Sequence, residues 1–146
     1  MADIATPQEG CGFLLNDVAR LMRRNFNRRV QALGLTQTQW RTLAILSRKP
    51  GISQKQLADI LEMQPISVGR LLDRMQAAGW IERRPDPADR RAVCLHLAVK
   101  ADPILKEMKG HSVEVLRDAN QGISPQEQQM FFDILTRMRA NVAENE

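Results

Sequence analysis

SQKQLADILEMQPISVGRLLDRMQAAGWIERRPDPADRRAVCLHL, running from Ser53 to Leu97, decides the fold. Ser53 precedes Gln56 by three residues, the Ser-x-x-Gln spacing of a capping box, so a helix begins there. Leu57, Ile60 and Leu61 share one face of it, and the segment ends near Met63, too short to stand without a packing partner. Pro65 supplies that partner, because proline suits the first helical position, where an amide hydrogen is not needed. This second helix is predicted to run to about Ala78. Val68, Leu71, Leu72, Met75 and Ala78 fall on its inner side; Ile66, Ser67, Arg70, Asp73 and Arg74 fall on the outer one. Gly79 stops the helix. Trp80 to Arg84 reads as a strand, and Ala92 to Ala98 as its partner, with Val93, Leu95 and Leu97 alternating against Cys94 and His96. Between the strands, PDPADRR (Pro85 to Arg91) is too long for a two-residue turn and stiffened by two prolines, so it projects. Helix, helix, strand, projecting loop, strand is the order of a winged helix-turn-helix.

That order gives the outer residues a chemistry. A helix in the major groove offers mainly its N-terminal residues to base edges. Ser67 can donate or accept, Arg70 can fork onto guanine or phosphate, and Ile66 can touch a thymine methyl group, with Pro65 opening the helix beside them. Lys55, Arg74 and the helix start at Ser53 and Gln54 are placed to grip phosphate. Arg90 and Arg91 suit a narrow minor groove, whose concentrated negative potential favours inserted arginine. Asp89 beside them is expected to orient an arginine through a charge-assisted hydrogen bond. Taken alone, the second helix also reads as a solvated amphipathic helix with two ordinary surface arginines; its setting in the motif favours DNA.

The flanks are helical. Leu14, Val18, Leu21, Met22, Phe26, Val30 and Leu33 form a stripe from Phe13 to Leu33, ended by Gly34. Thr36 caps a helix carrying Trp40, Leu43, Ala44 and Leu46 inward. Asp102 and Pro103 start another, with Ile104, Leu105, Met108, Val115, Leu116 and Ala119 on one face; Ser124, Pro125 and Glu127 start a last one carrying Met130, Phe131, Ile134, Leu135, Met138 and Val142. The fold class is therefore mostly α with a small β-hairpin wing. By length, residues 1–146 form one domain, a winged-helix lobe over 36–98 with dimerisation helices at 13–34 and 101–143. The wide stripes of the flanking helices require burial against each other and a second chain. A twofold dimer would set the two Pro65 helices about 34 Å apart, one DNA turn. The net charge of +4 is unevenly spread: residues 13–49 hold eight basic groups against one acid, and residues 101–146 hold five against eight. Only the first two thirds suit a polyanion. No apolar run of about 18 residues spans a membrane, and no basic-then-apolar leader opens the chain, so a cytoplasmic location is expected.

LTQTQWRTLAIL (Leu35 to Leu46), ISQKQLADIL (Ile52 to Leu61), PISVGRLLDRMQAAGWIERR (Pro65 to Arg84) and PDPADRRAVCLHL (Pro85 to Leu97) together resemble the multiple-antibiotic-resistance regulator (MarR) family. The most specific part is the wing, where the family's Asp-x-Arg before an alternating apolar strand stands here as Asp89, Arg90 and Arg91 followed by Val93, Leu95 and Leu97. Ala98 takes the place of a threonine usual in the family. The resemblance implies a homodimeric, sequence-specific transcription regulator, a repressor, that binds a pseudo-palindromic double-stranded DNA operator. In many relatives a small phenolic or otherwise lipophilic effector releases the DNA. The pocket used by relatives lies near the dimer helices, which brings in Met22, Trp40 and His111.

Two further readings stay open. A branch of the same family senses organic hydroperoxides through a cysteine near the start of its first helix, and Cys11 lies close to that place; the tyrosines that hold the thiolate there have no counterpart in a chain with no Tyr. The other is a winged helix used for protein contact without an effector, whose DNA affinity would be absent or sequence-independent with a steep salt slope. Cys94 reads as packing. With no CxxC and only His96 and His111 as imidazoles, no zinc site or other cofactor is expected. No Gly-rich phosphate loop or nucleophile elbow is present, which excludes the common enzyme classes.

Overall fold

A computed structural model describes residues 6–143 of the protein. Its elements, in order, are helices α1 (Pro7–Val30), α2 (Gln37–Arg48), α3 (Gln54–Leu61) and α4 (Pro65–Ala77), strands β1 (Ile81–Pro85) and β2 (Val93–Leu97), then helices α5 (Asp102–Ala119) and α6 (Pro125–Ala143). The chain forms two compact units that divide between Ser112 and Val113.

In the first unit the helix starts follow their local chemistry. The Thr36 and Ser53 side chains each accept from the backbone amide three residues on, and Gln39 and Gln56 reach back to the cap amides, so both capping boxes close. Pro65 opens α4 at a position needing no donor. The α4 stripe is buried as its periodicity predicts: Val68, Leu71, Leu72 and Met75 join Leu43, Leu46, Leu57, Ile81 and Leu95 in one core. Thr42, buried on α2, satisfies its hydroxyl by donating to the Thr38 carbonyl at 2.7 Å.

Four readings shift. The first helix begins at Pro7, six residues before Phe13, and gives way after Val30 to a short 3₁₀ turn, Gln31–Leu33, that ends in the left-handed Gly34. The first strand lies at Ile81–Pro85, one residue later than the predicted Trp80 to Arg84, and pairs Ile81 with Leu97, Arg83 with Leu95 and Pro85 with Val93. On β2 only Leu95 is buried; Leu97 is half-buried, and Val93 is exposed because it lies at the loop end of the hairpin. The sheet also gains an edge that periodicity did not reveal. Gly51 donates to the Leu95 carbonyl and Leu95 to the Ile52 carbonyl, both at 2.9 Å, so the segment before α3 lies along β2.

In the second unit, the final turns of α5 lead through a turn with Gly122 at φ 78° into α6. Ser124 and Glu127 close a third reciprocal cap at 2.8 and 3.2 Å. No residue of α6 is buried. Met130, Phe131, Phe132, Ile134, Met138 and Val142 are all exposed, so the apolar stripe read from the sequence is uncovered in the single chain.

Candidate nucleic-acid interface

The outer face of α4 carries Ile66, Ser67, Arg70, Asp73 and Arg74, all exposed, with Ile66 at 71%. A large aliphatic side chain that exposed gains nothing from the fold of its own chain. Ser67 and Arg70 stand in the first two turns of α4, close behind Pro65. Lys55 is exposed in the first turn of α3; Ser53 and Gln54 before it are half-buried, and Ser53 is committed to capping. Gln54 stands close to Gly69, whose missing Cβ would lie 3.4 Å from the Gln54 amide nitrogen, so helices α3 and α4 meet at a glycine.

The wing loop is folded by its own carboxylates. Asp86 Oδ1 accepts from the Ala88 amide at 2.8 Å and Asp89 Oδ1 from the Arg91 amide at 3.0 Å, while the Ala92 amide donates to the Asp89 carbonyl. This corrects the expected role of Asp89: it orients the Arg91 backbone, as an Asx turn does, and makes no bond to an arginine side chain. The reason is the short aspartate side chain within a turn, which reaches the amide two residues on, whereas the longer Glu82 side chain on the extended β1 reaches the Arg84 guanidinium. Arg90 and Arg91 are exposed.

Among the described residues, some cations are neutralised by neighbouring carboxylates and those of the outer α4 face and the wing loop are not. Arg20 pairs with Asp17, Arg83 with Asp73, Arg84 with Glu82 and Arg117 with Asp118. Lys55, Arg70, Arg74, Arg90 and Arg91 have no carboxylate within ion-pair distance among the described residues. Five unneutralised cations on α3, α4 and the wing of one compact unit leave that side open to an external polyanion.

Within the same unit a cavity of about 590 Å³ opens between α1, α2 and the start of α5. Phe26, Trp40, Ala44, Ile45, Leu105 and Met108 make it apolar, and Ser47, Ser112, Arg48 and Lys109 are its polar lining. Phe26 meets Trp40 edge to face with centroids 4.6 Å apart, and the indole N–H is used up by Asn27 Oδ1 at 3.1 Å. Of the three residues tied to an effector by resemblance, Trp40 lines this cavity; Met22 and His111 are half-buried elsewhere. Sequence reasoning missed Phe26, Arg48 and Lys109, which come together only through the packing of helices distant in the chain.

Both cysteines are free thiols. Cys11 is exposed in the second turn of α1, since the helix starts at Pro7. Partial burial raises the Cys94 thiol above its ordinary range, helped by the charge of the Asp86 carboxylate and a hydrogen bond to it. That disfavours a thiolate there. No cluster of metal-ligating side chains occurs among the described residues, and none of the described helices is long and apolar enough to cross a membrane.

The profile of the MarR family matches residues 33–92, the span of α2, α3, α4 and most of the wing. The transcriptional regulator PA3341 is 32% identical, with a TM-score of 0.79 over 92% of this chain and 98% of its own. A MarR-family transcriptional regulator from Silicibacter pomeroyi is similar at 31% identity and a TM-score of 0.79, covering 97% of this chain and 95% of that one. The chain belongs to the MarR family. MarR itself is similar at 25% identity and a TM-score of 0.74, over 92% and 98% of the two chains. The protein is thus a MarR-family transcription regulator with the winged-helix fold, and family members are regulators, not enzymes.

Proposed function

We propose that this MarR-family regulator binds a pseudo-palindromic DNA operator as a homodimer and represses the adjoining genes, and that a small lipophilic effector releases it. The observation that carries the reading is the set of unpaired cations and exposed reading residues on α3, α4 and the wing. Ile66, Ser67 and Arg70 read base edges from the start of α4; Arg90 and Arg91 enter the minor groove; Lys55 and Arg74 hold phosphates. The uncovered stripe of α6 supports the dimer, because a monomer rarely leaves that many large apolar side chains in water. Dimerisation in turn supports the palindrome, since a twofold protein presents α4 twice.

The cavity supports the effector. Its volume lies within the range of small-molecule pockets, its walls are mainly aliphatic and aromatic, and among the described residues its charged lining groups are the cations Arg48 and Lys109. That chemistry suits a flat, lipophilic molecule with an acidic group.

The test is to sequence DNA fragments retained by the purified protein, with and without a panel of aromatic acids. A shared palindromic site, lost when one acid is added, is the expected result. Retention of fragments with no common sequence, together with a steep salt slope, would reject operator recognition. Trp40 reports on the cavity directly: an acid that releases DNA should alter the fluorescence of the protein, and a Trp40→Phe variant should lose that response.

A further inference from the structure

We infer that Arg83 is a positioning residue that fixes the wing against the reading helix and so sets the spacing at which the two meet DNA. The inference rests on the DNA-binding reading above and adds a residue to it. The alternation of β1 places Arg83 on the same face as Ile81, and its register partner is Leu95; both of those are core residues, 2% and 0% exposed. An apolar residue is expected at such a position. A charged one is tolerated there only if its donors are satisfied.

The guanidinium does find partners, and all of them are on α4. Nη1 donates to Asp73 Oδ1 at 2.7 Å and to Gln76 Oε1 at 3.2 Å; Nη2 donates to the Gly69 carbonyl at 3.1 Å. Residues 69, 73 and 76 are spaced by four and three, so one guanidinium bridges about two turns of a single helix stripe. The side chain is 25% exposed, and its Nε is buried without a partner. Arg84, on the opposite face of β1, behaves differently: among the described residues it pairs with Glu82 of its own strand and not with α4.

Two consequences follow. The hairpin that carries Arg90 and Arg91 is tied at its root to the helix that carries Ser67 and Arg70. The tie also neutralises Asp73, whose exposed carboxylate shares the outer face of α4 with Arg70 and Arg74 and would otherwise repel phosphate. Lysine cannot replace Arg83, because it has no planar fork to serve three acceptors at once.

A double-mutant cycle with Arg91 tests this, read as operator affinity by gel shift and as groove protection by footprinting. Arg83→Met should weaken binding about tenfold in the native wing and much less in an Arg91→Ala background, since a contact that is already gone cannot be lost twice. Minor-groove protection should disappear in Arg83→Met while major-groove protection at the α4 contacts persists. Arg83→Lys keeps the charge and serves if Arg83→Met fails to fold; it should lose the same minor-groove protection. Unchanged affinity, or losses that simply add in the double variant, would overturn the assignment. If Arg91→Ala alone binds as tightly as the native protein, the failure is instead in the wing's contact with DNA.

Discussion

Asp86 and Asp89 sit in a loop meant for a polyanion, and their use explains how that is tolerated. Each carboxylate is spent on a backbone amide two residues on, which fixes the loop and leaves the arginine side chains free. In the proposed complex Arg91 would thus meet DNA from a preset backbone. Arg91→Ala should weaken operator binding tenfold or more, about 1 to 3 kcal/mol, in a gel shift; equal affinity would remove the wing from the interface. Glu127 illustrates the same economy at a helix start. The Ser124 amide, first, and the Ser124 hydroxyl, second, hold its carboxyl below the ordinary glutamate range. Because the folded value is the depressed one, the cap's contribution is complete above the unfolded glutamate range and is lost as pH falls through the folded value. An NMR titration should place the Glu127 midpoint below that of a free glutamate, and Ser124→Ala should move it upward. A midpoint that Ser124→Ala does not move would show that the hydroxyl has no part in the shift, and a midpoint at the free-glutamate value would remove the cap as its cause.

Helices were readable wherever their determinants were local. Thr36, Ser53 and Ser124 each announce a capping box, Pro65 opens α4, and Val68, Leu71, Leu72 and Met75 give its buried face. The start of α1 was missed because its apolar periodicity begins only at Phe13, although Pro7 already occupies a first-turn position. The edge pairing of Gly51 and Ile52 with Leu95, the Arg83 fork and the cavity lining depend on approach between distant segments, which no period reveals. One signal was available for Arg83: it falls on the Ile81 face of a strand, where an apolar residue belongs. The turn between α3 and α4 holds another departure from local preference. Glu62 adopts φ 54° and ψ 42°, the left-handed region, while the Met63 amide closes onto the Ala58 carbonyl at 3.0 Å. A side chain there costs about 1 to 2 kcal/mol, of which glycine's extra chain entropy offsets about half. Glu62→Gly should thus raise stability by about 0.5 to 1 kcal/mol, seen as a higher urea midpoint at unchanged slope, while Glu62→Ala should give no such gain. A lower midpoint for the glycine variant would show that the Glu62 side chain itself stabilises the turn.

Charge and apolar surface are partitioned along this chain. Lys55, Arg70, Arg74, Arg90 and Arg91 stand without ion-pair partners among the described residues on α3, α4 and the wing, whereas residues 101–146 carry more acids than bases and α6 exposes its apolar stripe. The first arrangement suits phosphate and the second suits another copy of the chain, so the proposed DNA binding and self-association draw on different residues and should be separable by mutation. Phe131 is 54% exposed in the single chain, so replacing it with glutamate removes little that the fold of one chain depends on. In a dimer packed through α6, the same change buries an unpaired carboxylate at the interface, a penalty of several kcal/mol. Phe131→Glu should therefore sediment near 16.6 kDa, the mass of one chain, with its helix content retained. Operator affinity should fall about a hundredfold or more, because each chain then holds a half-site without the effective concentration supplied by its twin. The contacts of each half-site stay intact, so the salt slope per chain should be about half that of the dimer. A Phe131→Glu protein that keeps twice the chain mass and full operator affinity would place the dimer contact away from α6.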